Sequence, residues 1–143
     1  MIVVVDTSVV VQWFAPERGT PIAELLLGRD DLAAPDILLV ETANVLRKKL
    51  RDGQIQHEQA VAAIAFLKAR MSQLVPFDEL LARAFEIAVQ VGHPIYDCMF
   101  LACAEKLDGV VATRDAPLVS RASAAGFSHI VRLLTAEWAG ELQ

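Results

Sequence analysis

The stretch Met1–Ser8 reads M-I-V-V-V-D-T-S, a short β-branched run that stops at an aspartate followed by two hydroxyl residues. A strand over Ile2–Val5 would be apolar on both faces, which is typical of a parallel sheet covered by helices. Asp6 then lies at the carboxyl end of the strand, where open α/β sheets place their ligands. Aspartate also favours the N-cap of a following helix. The stretch therefore leaves two interpretations of Asp6 open, a helix cap and a ligand.

Strands and helices alternate along the rest of the chain. Further strands are predicted at Leu32–Ala34, Leu74–Phe77, Val110–Thr113 and His129–Val131. Helices are predicted from Ser8 to Pro16, over Ile22–Leu27, from Pro35 to Asp52, over Gln54–Met71, from an Asp78 cap to Val91, from Pro94, over Ala116–Ala124 and from Thr135. This alternation predicts the α/β class with a parallel sheet, in one domain over residues 1–143. The third and fourth helices are expected to form a helical hairpin that projects from the sheet.

Composition bounds the class of protein. The chain has 143 residues, of which 55% are hydrophobic, and its mean hydropathy is +0.41. No segment reaches the roughly 20 uninterrupted apolar residues of a membrane helix. Met1–Phe14 lacks the basic start of a signal peptide, and Asp6 interrupts its apolar run. We therefore expect a cytoplasmic protein that has no membrane partner and leaves an apolar surface for a protein partner.

Cysteine and histidine give no sign of a metal site. Cys98 and Cys103 are five residues apart in a helical stretch, which favours small core residues over a disulfide or a zinc site. His57, His93 and His129 are scattered without metal-ligand spacing, so each is predicted to be a turn or surface residue.

Two acids lie on helices where acids are unexpected. On a helical count, Glu41 and Asn44 share one stripe with the apolar residues Ile37, Val40 and Val45. Both are therefore predicted to face the sheet. The alternative is that Glu41 lies at the edge of the stripe and reaches water. Asp97 is the only charge in its helix before Glu105, and the alternative there is simple stabilisation by the helix dipole.

Four acids therefore stand out by position. Asp6 and Asp115 follow β-branched strands, whereas Glu41 and Asp97 lie on helices. Carboxylates gathered in one cleft would raise each other's pKa unless a cation were present, and oxygen ligands of this kind suit Mg²⁺ or Mn²⁺. Such a metal acidifies a bound water and clamps phosphate oxygens, as phosphodiester hydrolysis requires. Thr7, Ser8 and Thr113 are hydroxyl residues placed to orient the carboxylates or waters.

The charge distribution is uneven. The net charge of −5 argues against a surface devoted to nucleic acid. Basic residues nevertheless cluster on one segment, at Arg47, Lys48, Lys49 and Arg51, and Arg114 lies beside Asp115. Such residues either form a solvated face or hold a phosphate backbone beside an acidic pocket.

Four motifs in this order resemble those of the PIN-domain ribonucleases, specifically the VapC toxins of bacterial type II toxin–antitoxin pairs. They are V-V-V-D-T-S-V-V-V-Q-W-F-A-P-E, P-D-I-L-L-V-E-T-A-N-V-L-R, I-Y-D-C-M-F-L-A-C-A-E and V-V-A-T-R-D. Each motif is weak singly, but together they span nearly the whole chain. The resemblance implies a single PIN domain, a three-layer α/β/α sandwich with a mostly parallel central sheet.

The resemblance also implies a Mg²⁺- or Mn²⁺-dependent endoribonuclease. Asp6 and Asp97 would be direct metal ligands, and Glu41 and Asp115 would act through water or on a second ion. Ser8 and Thr113 match the hydroxyl positions of the family, and Asn44 matches a position that is often polar. Arg47, Lys48, Arg51 and Arg114 are candidate RNA contacts by charge only. The family further implies homodimers and a small VapB-like antitoxin that covers the active-site groove.

Two rival functions remain. An aspartyl-phosphate enzyme of the haloacid-dehalogenase kind also places an aspartate after its first strand. That class requires a second aspartate two residues on, where this chain has Ser8, and a lysine near the later strand, where Arg114 is a poor substitute. The other rival is a non-catalytic module that uses the acidic groove only to hold a partner.

Overall fold

The computed structural model describes residues 1–15 and 20–143, and its centre is a five-stranded parallel sheet. The strands are β1 (Val3–Val5), β2 (Leu32–Pro35), β3 (Gln73–Val75), β4 (Val110–Thr113) and β5 (Val131–Leu133). Their order across the sheet is β3-β2-β1-β4-β5, and each neighbouring pair is parallel. Strand β1 is the middle strand and all three of its side chains are fully buried, as its apolar pattern predicts.

Eight helices in the described ranges cover the sheet. They are α1 (Thr7–Phe14), α2 (Thr20–Glu24), α3 (Ile37–Arg51), α4 (His57–Arg70), α5 (Leu81–Val91), α6 (Ile95–Leu107), α7 (Ala116–Ala124) and α8 (Ala136–Glu141). Right-handed crossovers place α1 to α4 on one face of the sheet and α5 to α7 on the other. The result is the predicted three-layer α/β/α sandwich. The predicted end of the first helix at Pro16 lies outside the described residues.

Two predicted boundaries beside β2 and β3 are wrong. Pro35 does not open a helix: it pairs with Val75 as the last residue of β2, and α3 begins two residues later. Asp78 does not cap α5 but lies in a 3-10 turn over Phe77–Glu79. The Asp36 carboxylate accepts a hydrogen bond from the Phe77 amide at 2.9 Å, just after the end of β3.

Two further elements begin later than predicted. Helix α4 begins at His57 rather than Gln54, because Gln56 and Gln59 form a reciprocal capping box at its start. Strand β5 covers Val131–Leu133 rather than His129–Val131, since its register is set by pairing with β4 and not by its own sequence.

The core lies on both sides of the sheet. Helix α6 packs against β1, β2 and β4, and its middle residues are all buried from Cys98 to Ala104. Cys98 and Cys103 are free and buried, as predicted, and burial raises the pKa of the Cys98 thiol to about 11. Helices α3 and α4 pack on each other as the predicted hairpin, and a smaller apolar cluster joins them to the end of α1, at Ala15, Leu46, Ile55, Ala60 and Ala63.

A membrane span requires a helix of sufficient length and apolar composition. Within residues 1–15 and 20–143, no single helix is both long and apolar enough to cross a membrane. Helices α5 and α6 reach that length and composition only together, across a bend of 115°.

The chain reverses its direction of progress across the sheet at β1. Strands β2 and β3 are added on one side of β1, and β4 and β5 on the other. The carboxyl ends of β1 and β4 therefore flank a topological switch point, the position at which parallel α/β sheets form ligand crevices. Asp6 follows β1 directly, and Asp115 follows β4 after one intervening residue.

Candidate active site

Asp6 is held rigidly between the ends of β1 and β4. Its backbone amide donates to the Ala112 carbonyl at 3.1 Å, which extends the strand pairing by one residue. Two hydroxyls donate to its Oδ2 atom, Ser8 Oγ at 2.8 Å and Thr113 Oγ1 at 2.7 Å. The side chain is buried, with 5% of the residue exposed. Such a carboxylate has fixed orientation and little access to bulk water.

The cap interpretation of Asp6 accounts for its backbone and not for its side chain. Asp6 occupies the N-cap position of α1, where its carbonyl accepts from Val9 and Val10, but its side chain makes no capping hydrogen bond. Asp115 behaves differently, because its Oδ1 accepts from the Leu118 amide at 3.1 Å and caps α7. One strand-end acid is thus a true cap, and the other is committed to the hydroxyls beside it.

The same hydroxyls tie the two strand ends together. Ser8 Oγ accepts from the Arg114 amide at 3.0 Å, and Thr113 Oγ1 accepts from the Asp115 amide at 3.0 Å. The two hydroxyl oxygens are themselves 3.3 Å apart. These bonds couple the loop after β4 to the carboxylate after β1.

Glu41 reaches this group from α3. Its Oε1 atom accepts a hydrogen bond from Thr7 Oγ1 at 3.3 Å, and its side chain is half-buried. The three hydroxyl residues predicted to orient the acids therefore contact Asp6 or Glu41 directly.

The predicted orientation of α3 is wrong. Leu38, Thr42 and Leu46 face the core, whereas Val40 and Asn44 are exposed. Packing of α3 against α1 and α4 decides which side of the helix is buried, so the buried stripe is displaced from the predicted one. Glu41 thus lies at the edge of the buried stripe, as the alternative held, yet it turns toward Asp6 rather than to water.

Asp97 lies in the first turn of α6 and contacts a residue that the sequence did not single out. His93 Nε2 is 2.5 Å from Asp97 Oδ2, and 9% of the His93 side chain is exposed. His93 lies in the turn between α5 and α6, as predicted, but its side chain is buried, whereas His57 and His129 are exposed. A histidine four residues before an acid at a helix start is the one local signal that pointed to this pair.

Electrostatics shows that these acids form one group. Burial raises the pKa of Asp6 above its ordinary value, against the lowering effect of Thr113 and Ser8, and the charge of Asp97 raises it further. Burial and the charge of Asp6 raise the pKa of Glu41 to about 7, with a smaller contribution from Asp97. Carboxylates that disfavour each other's charge in this way are stabilised by a cation among them.

The donor set fits a divalent cation. One ligand atom each from His93, Asp97 and Asp115 lies within 4.8 Å of the others. Asp97 also acts electrostatically on Asp6 and Glu41, so it links the two halves of the acidic group. Carboxylate oxygens suit Mg²⁺ and Mn²⁺, whereas an imidazole nitrogen suits Mn²⁺ better than Mg²⁺.

The arginines predicted to contact RNA have partners other than the four acids. Arg114 lies beside the acids, but its Nη1 atom donates to the Leu134 carbonyl at 3.1 Å. On α3, Arg47 donates to Asn44 Oδ1 at 3.3 Å and Arg51 pairs with Asp52, while Lys48 is exposed. The bonds described for Arg47 and Arg51 are thus local to α3 and its end.

An apolar cleft adjoins the acids at Glu41. Its volume is about 380 Å³, and its lining residues are Asp36, Ile37, Val40, Glu41, Phe77 and Tyr96. Exposure of large apolar side chains here is high, at 71% for Val40 and 64% for Tyr96. The sequence signalled an unpartnered apolar surface by composition but not its position.

Comparisons with known proteins agree on one family. Residues 3–122 match the PIN domain, and all four acids lie in that range. The chain is 30% identical over 126 residues to ribonuclease VapC3 from Pyrobaculum aerophilum, an alignment that covers 85% of this chain and 95% of that protein. It is also similar to the crystal structure of PAE2754 from Pyrobaculum aerophilum, with 20% identity and a TM-score of 0.72 over 99% of this chain and 95% of the other.

The PIN match covers most of the chain, and the PAE2754 likeness shows that the same fold is present from end to end. The VapC3 alignment adds a relative of matching length. The chain therefore belongs to the PIN-domain family, of which it is a VapC-type member.

Proposed function

We propose that this protein is a Mg²⁺- or Mn²⁺-dependent endoribonuclease that acts in the cytoplasm as the toxin of a toxin–antitoxin pair. The observation that carries the proposal is the gathering of buried and half-buried acids at the switch point, where the charge of Asp97 acts on Asp6 and Glu41 and a carboxylate oxygen of Asp97 lies within 4.8 Å of one of Asp115. The likeness to ribonuclease VapC3 supports the choice of RNA as substrate.

Asp6 and Asp97 are proposed as direct metal ligands, with Glu41 and Asp115 acting through water or on a second ion. A bound Mg²⁺ or Mn²⁺ supplies charge for the phosphate oxygens and an acidified water for hydrolysis of the phosphodiester bond. Ser8 and Thr113 hold Asp6 in one orientation, and Thr7 does the same for Glu41. Such fixed donors limit the reorganisation that binding and reaction would otherwise require.

The direct test is cleavage of a mixed RNA pool by purified protein. We expect cleavage with Mg²⁺ or Mn²⁺, none with EDTA, and recovery when the metal is added back. Asp6→Asn and Asp97→Asn should each reduce the rate by at least about 100-fold while the fold is retained, since an amide is nearly isosteric with a carboxylate. Asp30→Asn, which alters an exposed acid far from the site, is the matched control.

Each rival function has its own outcome in this test. Wild-type cleavage by either Asp6→Asn or Asp97→Asn would overturn the ligand assignment. Folded protein that binds no metal and cleaves no RNA would favour the non-catalytic module. A beryllofluoride adduct on Asp6 would favour aspartyl-phosphate chemistry.

The toxin role predicts growth arrest on expression of the wild type and none with Asp6→Asn. A VapB-like antitoxin is proposed to cover the active-site groove, and the apolar cleft beside Glu41 supports this, because it is a large apolar surface next to the acids. Co-expression of the antitoxin should relieve the arrest. Sequencing RNA 5′ ends after brief induction of the wild type and of Asp97→Asn would identify the cleavage site.

Two further parts of the proposal concern RNA contact and assembly. Arg47, Lys48, Arg51 and Arg114 are proposed to contact RNA phosphates, on the basis of charge. A homodimer is proposed because large apolar side chains at four-residue spacing are exposed along α5 and the turn before it, at Phe77, Leu81, Phe85 and Val89.

A further inference from the structure

His93 lies against the acidic group in a segment whose backbone is tightly held. Gly92 ends α5 in the left-handed conformation, with φ of 68°, and its carbonyl accepts from Arg121 Nη1 at 3.3 Å. His93 follows, with its side chain more than nine-tenths buried and its Nε2 atom 2.5 Å from Asp97 Oδ2. The imidazole therefore lies buried against Asp97 in the metal-free protein.

The surroundings of the second ring nitrogen favour one tautomer of the His93 ring. Among the described residues, His93 Nδ1 is buried and has no hydrogen-bond partner. A proton on Nδ1 would be a buried donor without an acceptor, whereas a proton on Nε2 is donated to Asp97. Within residues 1–15 and 20–143, the Nε2–H tautomer satisfies the hydrogen bond that the ring makes to Asp97.

We propose that His93 is a positioning residue for the metal site: its Nε2–H donates to Asp97 Oδ2 and fixes the orientation of that carboxylate. The charge of Asp97 acts on Asp6 and Glu41, and one of its oxygens lies within 4.8 Å of one of Asp115. Ligating carboxylates depend on such hydrogen bonds for their orientation. The inference rests on the proposed function only in that it takes Asp97 as a metal ligand.

Direct ligation through Nε2, the ring atom beside Asp97, is the competing role, and it needs the opposite tautomer. A metal bound at Nε2 requires the lone pair of that atom, so the proton would move to the unpartnered Nδ1. The location of one proton therefore separates positioning from ligation.

The first experiment reads that proton in the wild-type protein. Long-range ¹H–¹⁵N correlation spectra of histidine-labelled protein are recorded without metal and with saturating Mg²⁺. We expect the Nε2–H pattern for His93 in both states. An Nδ1–H pattern in either state would overturn the proposal.

The second experiment measures Mn²⁺ affinity by calorimetry on metal-free variants. His93→Leu should weaken binding by about tenfold, the loss that follows removal of a group supporting a metal ligand. His93→Gln should restore most of the affinity, because its amide nitrogen reaches the position of Nε2. His93→Asn should not, because its amide reaches only the position of Nδ1. His129→Leu, at an exposed histidine, is the control.

Unchanged Mn²⁺ affinity in His93→Leu, or equal affinities in the Gln and Asn variants, would contradict the proposal. Both readouts are independent of RNA cleavage. Loss of Mn²⁺ affinity without any nuclease activity would support His93 and refute the proposed function. Cleavage by the wild type with unchanged metal affinity in His93→Leu would support the proposed function and refute the role of His93.

Discussion

At the residue scale, the candidate site holds its acids at an electrostatic cost to the metal-free protein. Burial raises the pKa of both Asp6 and Glu41, and the negative charges of their neighbours add to this effect. The hydroxyls of Thr113 and Ser8 offset part of the cost at Asp6. A bound cation would therefore stabilise the ionised carboxylates, which disfavour each other's charge in the metal-free protein. This has two measurable consequences.

The stability of the metal-free protein should fall as pH rises. The pKa of Glu41 moves from 4.5 to about 7 on folding, so between these values the folded state binds more protons than the unfolded state. The contribution of Glu41 to stability is therefore greatest below about pH 4.5 and is lost as pH rises through about 7. Urea unfolding in EDTA at pH 5 and pH 8 measures this change.

Glu41→Gln should reduce that pH dependence, whereas Glu58→Gln, at an exposed position in α4, should leave it unchanged. Mn²⁺ at pH 8 should stabilise the wild type more than Glu41→Gln. Equal pH slopes for the wild type and Glu41→Gln would show that Glu41 is not a titrating member of the group.

The hydroxyl of Thr113 should matter more than a hydroxyl buried elsewhere. Thr113→Val removes the 2.7 Å donor to buried Asp6 and should cost about 1–3 kcal/mol in the free energy of unfolding. Thr42→Val is the matched control, because both threonines are fully buried but Thr42 Oγ1 has no partner among the described residues. Thr42→Val should therefore be neutral or stabilising. Equal losses in urea unfolding would contradict this account.

At the element scale, the site depends on the contact between β1 and β4. These strands carry Asp6 and Thr113 at their carboxyl ends, and their register is set along their length by pairs from Val3–Val110 to Val5–Ala112. At the amino end of the pair, Gly109 lies close to β1. A change there is transmitted to the acids through the strands themselves.

Gly109→Ala should disturb both the fold and the site. A Cβ atom at Gly109 would lie 2.6 Å from the Ile2 carbonyl oxygen and 3.2 Å from Ile2 Cβ, so β1 and β4 must separate or slide. The expected cost is about 1–3 kcal/mol in unfolding free energy, with weaker Mn²⁺ binding. Gly28→Ala is the control, since a Cβ there meets nothing within 4 Å. Wild-type stability and Mn²⁺ affinity in Gly109→Ala would refute the argument.

At the scale of the whole molecule, acidic charge and exposed apolar surface are each concentrated in one region. The net charge is −5, and several of the acids are gathered at one edge of the sheet. The stripe of Phe77, Leu81, Phe85 and Val89 begins at the apolar cleft beside Glu41, which Phe77 lines, and continues along α5, with these residues 44% to 69% exposed. A surface of this kind is expected to be covered by protein.

Phe85→Glu should convert the proposed homodimer to a monomer, because it places a charge in the middle of the apolar stripe, where the side chain is 62% exposed. Size-exclusion chromatography with light scattering measures the mass of each species. Val61→Glu, at an apolar residue of α4 with similar exposure, should leave the assembly unchanged. A wild-type monomer, or a dimer that persists in Phe85→Glu, would contradict the proposal.

Local patterns were enough to predict the class of fold and the acids at strand ends. The β-branched runs before Asp6 and Asp115 form buried strands and the apolar segment after Pro94 forms a largely buried helix, as predicted. These features depend on residue type and short-range periodicity, which do not change when the chain folds.

Other features depend on which segments meet. Packing against α1 and α4 places Glu41 at the edge of the buried face of α3, and the Asp36 carboxylate accepts a hydrogen bond from the Phe77 amide across the end of β3. The burial of His93 beside Asp97 follows from how α5 and α6 pack and where α7 begins. Contacts between residues far apart in sequence have no local pattern, because their energies arise only when the tertiary structure brings the groups together.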